Sequence, residues 1–179
     1  MRLTLACLNR FARDRRGVSA LEFALIAPVM VLMYLGSAEL TQALTVDRKV
    51  TGAANAVADL VAQDDFVTDA ELGDIRAAAA AIISPQPADL LSLRITSVRM
   101  DADGEIYVDW SESESLPPLT DDTLPPLPAG LLSPMGSIVM AEAIFPYQSP
   151  FQKTLEGAVT LTDTAYLRPR RSPWVRRPS

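Results

Sequence analysis

The sequence predicts an α+β protein: a long N-terminal transmembrane helix that continues into an amphipathic helix, then a small head with an antiparallel sheet. Three observations carry this. Residues 18–38 are an apolar run with Glu22 as its sole charge. Beyond it, Ala43, Val46, Val50, Ala53, Val57 and Leu60 recur at spacings of three and four, the stripe of an amphipathic helix. Short segments between 91 and 167 then alternate apolar with polar residues, as half-buried strands do.

Residues 1–17 form a basic leader holding Arg2, Arg10, Arg13, Arg15 and Arg16, together with Cys7, the single cysteine. The span that follows, 18–38, reaches about 30 Å at about 1.5 Å per residue, the thickness of the hydrocarbon core. The flank after it holds no basic residue beyond Arg48 and Lys49, so the arginine-rich side stays cytoplasmic and the rest of the chain crosses the membrane. An ordinary cleaved signal is the competing reading, since Gly36, Ser37 and Ala38 are small. The apolar run, however, exceeds the usual signal core of about 7 to 15 residues. Pro28 should kink the span or free one carbonyl.

The helix should extend through 39–66, ending near Gln63. A head follows over 67–167. Thr68 and Glu71 have the spacing of a capping box, so a second helix should run to about Ile83 and stop before Pro85. Leu91, Leu93 and Ile95 alternate with polar residues, and the phase then shifts to Val98 and Met100, which predicts a bulge near Ser97. Asp101, Asp103 and Gly104 should turn the chain into Ile106, Val108 and Trp110. Half a calcium loop is the alternative for these acids, but the closing Glu is missing, so a hairpin turn is preferred and no metal is expected. Further strands are predicted over about 137–145 and 155–167.

Residues 111–136 hold six of the fourteen prolines, four acidic residues and no basic one, which predicts a long loop, solvated or serving as a dock for a basic partner. Residues 168–179 form a basic tail, expected to be disordered and to suit anionic lipid or an acidic partner such as that loop in a neighbouring copy.

Composition excludes several functions. With no histidine and one cysteine, the chain cannot build a Ser-His-Asp triad, an imidazole metal site or a disulfide framework. From Val50 to Leu167 eighteen acidic residues face Arg76, Arg94, Arg99 and Lys153, so phosphate would be repelled and no nucleic acid is expected. No cofactor is expected either. The acids are spread over loops and turns, with no apolar setting that would shift a carboxylate pair, so the chain is read as no enzyme.

The junction around Gly17, Val18, Glu22 and Phe23 resembles a class III prepilin signal. In Flp-type pilins and the TadE-like pseudopilins of tight-adherence systems, a basic leader ends in Gly, and Glu with an aromatic follows five and six residues later. Gly17, Glu22 and Phe23 match that pattern. Ala141, Glu142, Phe145, Pro146 and Tyr147, and the Leu167 to Arg171 string, also look like TadE-like proteins. The resemblance implies cleavage between Gly17 and Val18 by a prepilin peptidase, recognition and assembly through Glu22 and Phe23, and a pilin-like head in a bacterial periplasm. It implies a single-pass inner-membrane protein whose partners are the lipid bilayer, other pseudopilins, pilin or the assembly platform. The length beyond the helix favours a minor pseudopilin of a type IVb, Flp-type pilus over its major subunit.

Physical chemistry supports a role for Glu22 independently. A carboxylate at the bilayer centre costs up to about 3 kcal/mol, less near the interface, so such residues are usually paired. Cleavage after Gly17 would place the Val18 amine one helical turn from Glu22, and a neighbouring subunit's amine could neutralise it. Snorkelling to the headgroups is the plainer alternative. From another class, the chain could be a permanently anchored periplasmic binding or scaffold module, which would need no cleavage at Gly17.

Overall fold

The structure, a computed structural model, describes residues 16–148 and 159–178 and forms two compact units, Met1–Gln42 and Ala43–Ser179. The leader up to Arg15, with Cys7, and the predicted start of the last strand at 155–158 lie outside the described residues.

Helix α1 runs from Arg16 to Ala62 and stays helical through Pro28. At 47 residues it is about 70 Å long. In the first unit its large apolar side chains are exposed from Val18 to Tyr34, with no protein layer over them. In the second unit Val46, Val50, Ala53, Ala54, Val57, Ala58 and Val61 are buried. The stripe therefore ends on Val61, not on the expected Leu60, which is 37% exposed. Both positions satisfy three-and-four spacing after Val57. The core that packs on the helix selects one of them.

Helix α2, Asp69–Ile83, starts with the predicted capping box. Thr68 accepts from the Glu71 amide through Oγ1 at 3.3 Å, while the Glu71 carboxylate accepts from the Thr68 amide at 2.7 Å. The Thr68 amide and then the Thr68 hydroxyl, at 2.7 Å, donate to the carboxylate, favour its ionised form and hold the Glu71 carboxyl below the usual carboxylate range. Leu72, Ile75, Ala79 and Ile83 form the buried face. Gly52 of α1 faces α2, where a Cβ would meet Ile82 Cγ2 at 3.6 Å, an ordinary contact.

Four antiparallel strands follow: β1 Ser92–Met100, β2 Ile106–Ser113, β3 Ser137–Tyr147 and β4 Val159–Leu167, ordered β2-β1-β3-β4. The register between β1 and β2 shifts between Ser97 and Val98, at the predicted bulge. The β1–β2 turn is organised by Asp101. Its Oδ1 accepts from the amides of Asp103 at 2.9 Å and Glu105 at 2.8 Å, and Gly104 takes φ +90°. One face of the sheet, including Ile95, Val139, Ala141, Phe145 and Ala165, joins the valines of α1 in a single core. A fully buried valine contributes at least about 1.5 kcal/mol by leaving water, so the α1 stripe is a main source of stability.

The opposite face carries Arg94, Thr96, Val98, Ile138, Met140 and Glu142, by the register of β1 on β3. Thr96, Val98, Ile138, Met140 and Glu142 of this face are also buried. The proline-rich segment lies across it. Leu119 is buried, its amide donates to Ser111 Oγ at 2.9 Å, and the Arg94 guanidinium reaches the Pro117 carbonyl at 3.0 Å. Asp121, in a 3-10 turn at Asp121–Thr123, accepts from the Val108 amide at 2.6 Å. The segment is a loop as expected, mostly exposed, but it is pinned to the sheet at Pro117, Leu119 and Asp121. β2 itself extends into it, to Ser113.

The tail also departs from expectation. Residues 168–178 are ordered against the head. The Arg170 amide donates to the Ala62 carbonyl at 2.9 Å, satisfying a carbonyl at the end of α1. Phe66 and Arg176 form a parallel bridge, and Val175 is fully buried with its carbonyl accepting from Trp110 Nε1 at 2.8 Å. Arg170, Arg171, Arg176 and Arg177 pair with Asp59, Asp64, Asp65 and Asp69. Within the chain, the tail's carboxylate partners lie on α1, between the helices and at the start of α2, and Arg177 also pairs with Glu112 of the acidic stretch.

Candidate functional site on the membrane helix

Gly17, Val18, Glu22 and Phe23 all fall in the first two turns of α1, which contain no acidic residue in the first turn to suit the helix N-terminus. Gly17 has open space where a Cβ would stand. Val18 is 51% and Phe23 68% exposed, and Glu22 is exposed between them. Helical geometry puts Val18 and Glu22 on one face, four residues and about 6 Å of rise apart. Gly17 and Phe23 sit on other faces, so the four residues do not converge as an active site would. They present a strip of one helix to whatever surrounds it.

The surroundings follow from composition. The helix is long and apolar enough to cross a membrane, with a mean hydropathy of 2.1 in its most apolar window, and none of that window is buried. Large side chains project all round it, among them Leu25, Ile26, Val29, Leu32, Met33 and Tyr34. In water such a surface would aggregate, whereas lipid is its natural solvent. Within it Ser37 Oγ donates to the Tyr34 carbonyl at 2.8 Å and Thr41 Oγ1 to the Ser37 carbonyl at 2.8 Å, satisfying both hydroxyls along the helix itself.

Among the described residues no group of three or more His, Cys, Asp or Glu side chains is placed to hold a metal. Asp101, the centre of the rejected calcium loop, spends its Oδ1 on turn amides. What the sequence reading missed is in the tail. Trp174 covers the Arg99 guanidinium at 4.1 Å, with Tyr107 at 5.6 Å and Asp109 at 3.3 Å completing its surroundings. The signal was available: one Trp-Val pair inside a run of Arg and Pro, after a helix end rich in Asp.

Fold and site together define an α+β protein in which one helix supplies both part of the core of the head and an exposed apolar span long enough to cross a membrane, consistent with membrane anchoring. Residues 17–59 match the family model described as TadE-like protein, so the chain carries a TadE-like domain that begins at Gly17 and ends within α1. Such a domain implies involvement in a tight-adherence pilus system. No curated protein and no solved structure matches the chain.

Proposed function

We propose that the chain is a minor pseudopilin of a tight-adherence, Flp-type pilus, anchored in the bacterial inner membrane with its N-terminus cytoplasmic and its head periplasmic. The observation that carries this reading is the coincidence at Gly17, where the TadE-like match, the end of the basic leader and the exposed apolar helix all begin. In this reading a prepilin peptidase cuts between Gly17 and Val18. The protein then acts by lateral packing of its helix with other pseudopilins, pilin or the assembly platform, and by contacts of its head, without catalysis.

Glu22 has a defined part in it. The new amine of Val18 on an adjacent helix supplies a cation for the carboxylate, and the pair makes lateral association favourable where either charge alone would be costly. Phe23 offers an aromatic contact beside it. Mass measurement of the mature N-terminus, with and without the peptidase, tests the proposal. A product starting at Val18 only when the peptidase is present is expected. A chain that keeps its leader would favour a permanently anchored periplasmic module, and one starting at Glu39 an ordinary secretory signal.

A further inference from the structure

We propose that the end of the head bearing Arg168 and Met135 is a self-association surface, on which Arg168 of one copy receives the acidic β1–β2 turn of a second copy. Three independent observations meet there. The first is charge. Between Ala43 and Ser179 nineteen acidic side chains stand against eleven basic ones. Among the described residues, every arginine from Arg76 to Arg177 holds a carboxylate except Arg168. Arg168 is exposed and donates through Nη2 to the Leu131 carbonyl at 2.9 Å. A guanidinium has five N–H donors, so most of its capacity is unspent in a molecule with acid to spare.

The second observation is a cleft of about 200 Å³ beside Arg168, walled by Leu131, Leu132, Met135 and Pro173. The third is Met135 itself. It holds φ +60° and is 69% exposed. A left-handed backbone is unfavourable for a non-glycine residue and persists only where the surroundings impose it. Here they do. The Gly136 amide donates to the Ser133 carbonyl at 2.8 Å, and the Met100 amide to the Gly136 carbonyl at 3.0 Å. A Cβ on Gly136 would stand 2.8 Å from the Ser133 carbonyl oxygen. The turn is locked, and it holds an apolar side chain out into solvent.

A second copy is the occupant because the complementary group adjoins the cleft. The Met135 amide donates to the Asp101 carbonyl at 3.4 Å, so the β1–β2 turn lies next to Met135. That turn exposes Asp103 and Glu105, beside Ile106 at 40% exposure. One patch therefore carries a free cation, free carboxylates and exposed apolar side chains. Such a patch is self-complementary about a two-fold axis, with Arg168 of each copy facing the acids of the other. This inference concerns the head and does not depend on the cleavage reading.

The test uses the full-length chain in detergent micelles, with Cys7→Ser and Met135→Cys leaving one thiol, and a short bis-maleimide crosslinker. A covalent dimer is expected. Arg168→Glu should lower its yield about tenfold or more, since like charges facing each other cost several kcal/mol and about 1.4 kcal/mol is a factor of ten. Asp103→Arg with Glu105→Arg should do the same, and combining both reversals should restore the dimer. That rescue separates a lost contact from a damaged fold. No dimer with the native charges, or a yield insensitive to the reversals, overturns the proposal. So does loss of the dimer on Glu22→Gln with the head unchanged, which would place association in the membrane helix.

Discussion

The Arg94 guanidinium grips the Glu142 carboxylate with two parallel bonds, Nε to Oε2 at 2.5 Å and Nη2 to Oε1 at 2.8 Å, across neighbouring strands of the sheet. Its remaining Nη1 donates to the Pro117 carbonyl. The two side chains are only 14% and 11% exposed. One arginine thus ties β1 to β3 and fastens the proline-rich cover over both. The Glu142 charge, after burial, also pushes the Tyr166 hydroxyl above its ordinary pKa.

Arg94→Ala leaves Glu142 buried and uncompensated, and removes the tether at Pro117. Breaking a buried pair costs about 3–5 kcal/mol, so the denaturation midpoint of the chain in detergent should fall sharply. Faster amide exchange at Leu119 should accompany it. A midpoint within experimental scatter of the parent would mean that the cover is held by other contacts.

In the tail, apolar anchoring should outweigh the arginine pairs. Val175 is fully buried, and Val175→Ala should cost about 2 kcal/mol from lost burial and the cavity left behind. Arg171 and Asp64 are 72% and 46% exposed at 3.6 Å, a geometry worth about 0–1 kcal/mol. Arg171→Ala and 1 M salt should therefore barely move the thermal midpoint. A larger effect from salt than from Val175→Ala would reverse this ranking.

Glu71 makes the start of α2 sensitive to acid. Its folded pKa lies below the unfolded value because the ionised carboxylate accepts from Thr68. Its contribution is therefore present above the unfolded pKa and lost as pH falls through the folded one. Hydrogen exchange at the first turn of α2 should accelerate, relative to the intrinsic rate, as pH drops below the ordinary carboxylate range. Glu71→Gln should remove that dependence, and its persistence would assign it to another group.

Asp163 guards the free edge of the sheet. β4 is an edge strand, and the Asp163 carboxylate takes the Thr164 amide at 2.7 Å. Charges on edge strands discourage pairing with other chains. Asp163→Val, in a strand already rich in Thr, Val and Leu, should promote aggregation that light scattering detects, with little change in the folded monomer's circular dichroism. A variant as soluble as the parent would show the edge to be protected otherwise.

Within the proposed assembly role, Glu22→Gln should still insert and largely still be processed, because an amide is easier to bury than a carboxylate. Lateral association should fail, since the Val18 amine of the neighbour loses its partner at a cost of about 3–5 kcal/mol. Glu22→Asp, with a shorter reach, should be partly defective. Crosslinking to pilus-system partners alongside a pilus count reads the outcome, and normal values in Glu22→Gln would leave Glu22 a headgroup-facing residue.

Local rules sufficed where the signal is local. The apolar span, the Thr68–Glu71 capping box, the turn at Asp101 and the bulge after Ser97 depend on neighbours in sequence, and all were legible there. So was the TadE-like pattern at Gly17, Glu22 and Phe23, which lies on one continuous helix. What only the tertiary structure decided were pairings between distant segments. A proline-rich acidic stretch and an arginine-rich tail both read as solvated, because neither has a periodic apolar face. Yet single residues in each, Leu119 and Val175, are buried by surfaces that exist only once the sheet has formed. Opposite charges more than a hundred residues apart, as in Arg170 with Asp59, meet for the same reason. The choice of Val61 over Leu60 belongs with them: helical spacing allows both, and the packed core admits one.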